Sequence, residues 1–138
     1  MEVKDDETDR NREAALACLI LLQVTMLGSL CAGVAPHPPS TTPLFGIGPF
    51  LGASLSAAVA ALILGREEGR AGSVLAGLAA LAALVSFGPQ KYLDPQFPLI
   101  WPAVLSGQVA ALVILGGLLS RRSRARNRLV TPRPAHVG

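Results

Sequence analysis

The sequence predicts an all-α membrane protein, an antiparallel bundle of four transmembrane helices with the N- and C-termini cytoplasmic. Three observations predict it. First, only 15% of the 138 residues are charged and 51% are hydrophobic, with a mean hydropathy of +0.48; a soluble domain carries roughly 25% charged residues to cover its surface. Second, no charge falls within residues 14–65, 71–90 or 95–120, and about 20 apolar residues suffice for a helix to cross a hydrocarbon core roughly 30 Å thick. Third, four spans over these runs put 11 of the 12 basic residues on one side, leaving Lys91 alone on the other. Basic residues in short loops mark the cytoplasmic face. A soluble fold, a nucleic-acid-binding arm and a disordered linker are excluded.

Each element follows from local chemistry. Residues 1–13 form an acidic cytoplasmic segment, with Glu2, Asp5, Asp6, Glu7, Asp9 and Glu13 against Lys4, Arg10 and Arg12. That balance and the long apolar stretch after it argue for a retained span rather than a cleaved signal peptide, although small residues Ala32-Gly33-Val34-Ala35 close the stretch. The first uncharged run is too long for one helix and breaks at Pro36-His37-Pro38-Pro39-Ser40-Thr41-Thr42-Pro43, because proline lacks an amide donor and disfavours helix in the residue before it. Spans therefore fall at about 14–35, 44–65, 71–87 and 98–119, within a transmembrane domain of residues 14–120. Helices are chosen because only helices and closed barrels satisfy their backbone in lipid, and no period-2 alternation is present. Pro49 and Pro102 read as helix-entry residues, and Glu67-Glu68 as a solvated hairpin. The tail, 121–138, is basic and expected to be disordered, above all at Thr131-Pro132-Arg133-Pro134.

Lipid tails are as apolar as leucine, so close approach at small residues and interhelical hydrogen bonds must hold the helices together. Small residues recur every four positions at Gly48, Gly52, Ser56 and Ala60, at Gly72, Ala76 and Ala80, and at Ala103, Gly107 and Ala111. These stripes are expected to pack the bundle, with one of them free to face a partner subunit instead. Gln23 and Gln108 lie nine and eleven residues from the cytoplasmic ends of their spans, at depths of roughly 14 and 16 Å. An unpartnered amide there is costly, and the expectation is that the two bond each other across the first and fourth helices.

Chemistry is harder to find. A proton-coupled exchanger needs a titratable group inside the membrane, and every charge here lies at or beyond a span end. His37 and His136 lie on opposite sides, and Cys18 and Cys31 are 13 residues apart on one helix, about 20 Å, too far for a disulfide. No metal, cofactor or catalytic arrangement is expected. The six aromatics, Phe45, Phe50, Phe87, Tyr92, Phe97 and Trp101, all map to the outer third or outer loops, beside Pro36, Pro38, Pro39, Pro43, Pro89, Pro95 and Pro98. They are expected to anchor the outer rim or to form a stiff docking cap. Arg121, Arg122, Arg124, Arg126 and Arg128 should bind anionic lipid headgroups. Arginine outnumbers lysine ten to two and alanine, glycine and proline abound, which suits a high-GC bacterium and its plasma (inner) membrane. The functional expectation is a non-catalytic accessory, assembly or scaffold subunit packing against a larger membrane complex, or self-associating. The alternative is an oligomeric small-solute transporter or channel without a titratable intramembrane carboxylate.

Overall fold

The computed structural model describes residues 2–34, 44–65 and 69–130. The proline segment at 35–43, the hairpin residues Arg66, Glu67 and Glu68, and the tail 131–138 lie outside the described residues. Four α-helices follow one another: α1 Glu2–Ala32, α2 Leu44–Leu64, α3 Arg70–Phe87 and α4 Phe97–Val130, with a short 3-10 helix, Pro89–Leu93, between the last two. No strand occurs among the described residues. All four helices are long and apolar enough to cross a membrane. Each packs against its neighbour in sequence, and α1 closes the ring against α4.

The core that these helices share is built from small side chains. Ala15, Leu16 and Leu19 of α1 meet Ala58 and Ala61 of α2, Ala76, Ala79, Ala80, Ala83 and Phe87 of α3, and Ala110, Ala111 and Ile114 of α4. Alanine at most of these positions lets helix backbones approach closely, which is what association in lipid requires. The buried positions of α3, Gly72, Ala76, Ala79, Ala80, Ala83, Ser86 and Phe87, recur at three- and four-residue steps, one face of a helix. Gly72 and Gly107 are sites of tight approach. A Cβ on Gly72 would stand 2.9 Å from the Leu64 carbonyl oxygen, and one on Gly107 would stand 2.9 Å from Phe87 Cβ and Cγ. Ala111 is buried with them and Ala103 is half-buried.

The α2 ridge does not pack this way. An added Cβ at Gly48 or Gly52 meets nothing within 4 Å, Ser56 is exposed and Ala60 only half-buried. The side of α2 turned inward carries Leu51, Ser54, Ala58 and Ala61 instead. Four-residue spacing defines a face but not the direction it turns. Here the direction goes with the face that holds both the larger apolar residue and Ser54, the partner of a buried amide described below.

Two helices are longer than their apolar spans. α1 begins at Glu2 and α4 runs on to Val130, so residues 2–13 and 121–130 are helical continuations of the bundle rather than separate segments. At about 1.5 Å per residue they project well beyond α2 and α3. Acidic residues at the start of α1 favour the helix dipole there, and Asp9 and Arg121 form an ion pair between the two extensions. α1 ends in a Schellman turn. Gly33, at φ +64°, donates to Leu30 O, and Val34 N–H reaches Ser29 O at 3.1 Å, the paired bonds expected when a left-handed residue closes a helix. Pro49 and Pro102 are the sixth residues of their helices. They lie past the first turn, so each removes one helical hydrogen bond, to Phe45 O and Pro98 O, instead of sitting harmlessly at the entry.

Candidate interaction sites

Gln23 and Gln108 do not bond each other. Gln23 is fully buried, and its Nε2 donates to Ser54 Oγ of α2 at 2.7 Å. Its Oε1 is buried without a hydrogen-bond partner. Gln108 faces the end of α3: its Nε2 donates to Phe87 O at 2.9 Å, and its Oε1 accepts from the Tyr92 hydroxyl at 2.7 Å. Equal depth is necessary for two side chains to meet, but rotation about the helix axis decides which neighbour each one faces. Gln23 points at α2 and Gln108 at α3.

Gln108 answers a specific need. α3 stops at Phe87, and the last carbonyls of a helix have no partner within it. In an apolar surrounding each must be satisfied. Gln90 Nε2 donates to Val85 O at 2.6 Å and Gln108 takes Phe87 O, so two glutamine side chains cap the helix where lipid cannot. Gly88 makes the fold-back possible, since a Cβ there would run into Leu84 O and the Gln90 side chain. The 3-10 turn then places Tyr92 over Gln108, with the Phe97 ring edge-on to it at 5.2 Å. Asp94 ends this segment. Its Oδ1 accepts from Gln96 N–H at 3.0 Å and its Oδ2 pairs with Lys91 Nζ at 3.2 Å. Its carboxyl is held below the usual value chiefly by the Gln96 bond; partial burial works against this, and the Lys91 ammonium adds to the lowering.

The six aromatics separate into two groups. Phe45 is 85% exposed, and Phe50, Tyr92 and Trp101 are also exposed. Phe97 is half-buried against Tyr92. Phe87, expected on an outer docking or anchoring surface, belongs instead to the core, 7% exposed and seated on Gly107. A glycine opposite a ring makes a socket, and the four-residue stripe that contains Gly107 is what signals it. Around the exposed rings the helices are open: among the described side chains, no residue of 24–34, 45–50 or 97–103 is buried.

The opposite end is tied by charge. Arg12, buried at the edge of the bundle, donates from Nη2 to Gly65 O at 2.6 Å. The guanidinium thus closes the last turn of α2, where cations favour the carbonyl end of a helix. A Cβ on Gly65 would stand 2.8 Å from Arg12 Nη2. Arg122 and Arg126 are exposed and Arg124 is half-buried; the Arg128 side chain lies outside the described residues. Ser54, Gln90, Arg12 and Gly65 had no distinguishing signal in the sequence beyond polarity next to an apolar run.

Cys18 and Cys31 are both free thiols, and His37 and His136 lie outside the described residues. Among the described residues no group of three His, Cys, Asp or Glu side chains could hold a metal ion. No family model, curated protein or solved structure matches this chain.

Proposed function

We propose that this protein is a non-catalytic accessory, assembly or scaffold subunit that packs, through the outer half of α2 and the aromatic rim beside it, against a larger membrane complex. The observation that carries the reading is the open ridge Gly48–Gly52–Ser56. The glycine stripes of α3 and α4 are used up inside the bundle, against Leu64 and Phe87, whereas on α2 nothing lies within 4 Å of either added Cβ. Ser56 does not break the ridge, because its hydroxyl returns to Gly52 O of its own helix at 2.8 Å. In lipid a smooth ridge of this kind is worth more to a neighbouring helix than to acyl chains, since close packing drives association there. Phe45, 85% exposed, lies on the same face of the helix and extends it.

The helices run antiparallel in this reading, with both termini on the cytoplasmic side of a bacterial plasma membrane. Its supports are the basic residues counted above and the two contacts, Arg12 with Gly65 and Asp9 with Arg121, that join the start of α1 to the end of α2 and to α4. The arginines of α4 would rest on anionic headgroups.

A second reading, an oligomeric small-solute transporter or channel, is favoured by one observation: the partnerless Oε1 of Gln23 at mid-bundle. The alanine and leucine packing around the axis of the single chain weighs against it. Purification in a gentle detergent separates the two. A stoichiometric larger subunit is expected to accompany the chain, and Trp101→Ala is expected to weaken that association more than Arg124→Ala. A homo-oligomer around a polar central passage would overturn the accessory role.

A further inference from the structure

Between α3 and α4, at the arginine-rich end, runs a groove of about 890 Å³, within the ~300–1,000 Å³ of sites that hold a ligand. Its mouth is formed by Arg70, Arg121 and Arg122, and its walls by Val74, Leu78 and Leu81 of α3 and Leu115, Leu118 and Leu119 of α4. Gly77 leaves the floor open, with only Leu118 Cδ1 within 4 Å of an added Cβ, at 3.4 Å. From Gly69 to Leu81 the groove runs about 18 Å along α3, close to the ~15 Å depth of one leaflet's hydrocarbon.

We propose that this groove is a specific site for one anionic diacyl phospholipid, the phosphate held between Arg70, Arg121 and Arg122 and one acyl chain lying along Gly77. Charge complementarity selects the occupant. No acidic residue lines the groove, and among the described residues neither Arg70 nor Arg122 has a carboxylate partner, while Asp9 fixes Arg121 in place. Below the arginines sits the Ser73 hydroxyl, at the start of α3, where Gly69 supplies no side-chain cap to the first amides. The amide end of a helix favours an anion. Basic pockets between transmembrane helices at the headgroup level take anionic lipids, at about 1 kcal/mol per basic residue. A neutral partner helix would fill the leucine walls but leave Arg70 and Arg122 without a carboxylate among the described residues.

Native mass spectrometry of the full chain in detergent, titrated with phosphatidylglycerol or with phosphatidylcholine of the same acyl chains, tests the site. One phosphatidylglycerol per chain is expected to survive excess phosphatidylcholine. Arg70→Gln with Arg122→Gln should weaken it about 30-fold, and Arg126→Gln, outside the groove, less than about twofold. Gly77→Leu, which keeps every arginine, should abolish it; Val74→Trp, at an exposed wall position, should do the same without touching the core. Glycerol phosphate should not displace the lipid. Equal retention of phosphatidylcholine, equal effects of Arg126→Gln and Arg122→Gln, or full binding by both Gly77→Leu and Val74→Trp would overturn the site in favour of diffuse attraction to a basic surface.

Discussion

At the arginine-rich end, Arg12 closes α2 on Gly65, Gly72 lets α3 touch Leu64, and Asp9 holds Arg121 of α4. At the aromatic end, α1 beyond Gln23, α2 before Leu51 and α4 before Val104 contain no buried side chain among those described. Only α3 is finished there, its carbonyls capped by Gln90 and Gln108 and its last ring set into Gly107. The two ends use the same glycine-rich chemistry. At the first, Gly65 and Gly72 receive a neighbour within the chain, although Gly116 does not; at the second, Gly107 receives Phe87, whereas Gly48 and Gly52 receive none. A protein optimised only for its own stability has no use for an unoccupied ridge, so the contrast directs attention outward, to another molecule in the membrane.

Substitutions at filled and at open sites should have unequal effects. The largest effect is expected where the socket is full: Gly107→Val should destabilise the bundle by about 3 kcal/mol through overpacking against Phe87, read as a loss of thermal stability in micelles, whereas Gly52→Leu should change it by less than about 0.5 kcal/mol. Comparable losses at the two glycines would mean the α2 ridge is packed after all. Next comes Ser54→Ala. It removes the partner of a fully buried amide and should cost about 1–2 kcal/mol, while Gln23→Leu with Ser54→Ala together should recover most of it. A double-mutant cycle on Asp9 and Arg121, both partly exposed, should give a coupling of about 0.5 kcal/mol that fades with added salt; persistence in high salt would contradict a solvated extension.

The smallest effect concerns pH. Folding lowers the Asp94 carboxyl from its ordinary value of 3.8, so its contribution is present above that value and is lost as pH falls through the lowered one. Trp101 fluorescence should therefore stay flat from about pH 8 to pH 5 and shift only below about pH 4. Asp94→Asn keeps an acceptor for Gln96 N–H, and should remove that shift while leaving the neutral-pH spectrum unchanged.

The spans were legible because a charge inside lipid is expensive, so charge-free runs of sufficient length mark them almost unaided. Gly72, Ala76, Ala80, Gly107 and Ala111 are buried on a four-residue spacing of small residues, but Gly48, Gly52, Ser56 and Ala60, at the same spacing, are not, so the spacing marks a face without saying what it meets. The partner of Gln23 was not legible, because sequence carries depth and not rotation, and Ser54 is indistinguishable from any small residue of an apolar helix. The depth of Gln108 signals an interhelical bond but not its partners, because the need it meets arises only once α3 ends at Phe87 and the chain folds back through Gly88. The helical extensions were hidden too, since a charged helix supported by a neighbour's opposite charge has no apolar period to reveal it.

The α2 ridge, as proposed, is a docking surface left empty by the chain itself. Native electrophoresis of wild-type and Gly52→Leu protein, extracted from the same membranes in a mild detergent, tests it directly. The wild type is expected in an assembly well above its own 14.3 kDa, and Gly52→Leu is expected to run free of it with unchanged helicity and melting temperature. A Gly52→Leu protein that stays in the same assembly, or a wild type that runs alone, would contradict the account.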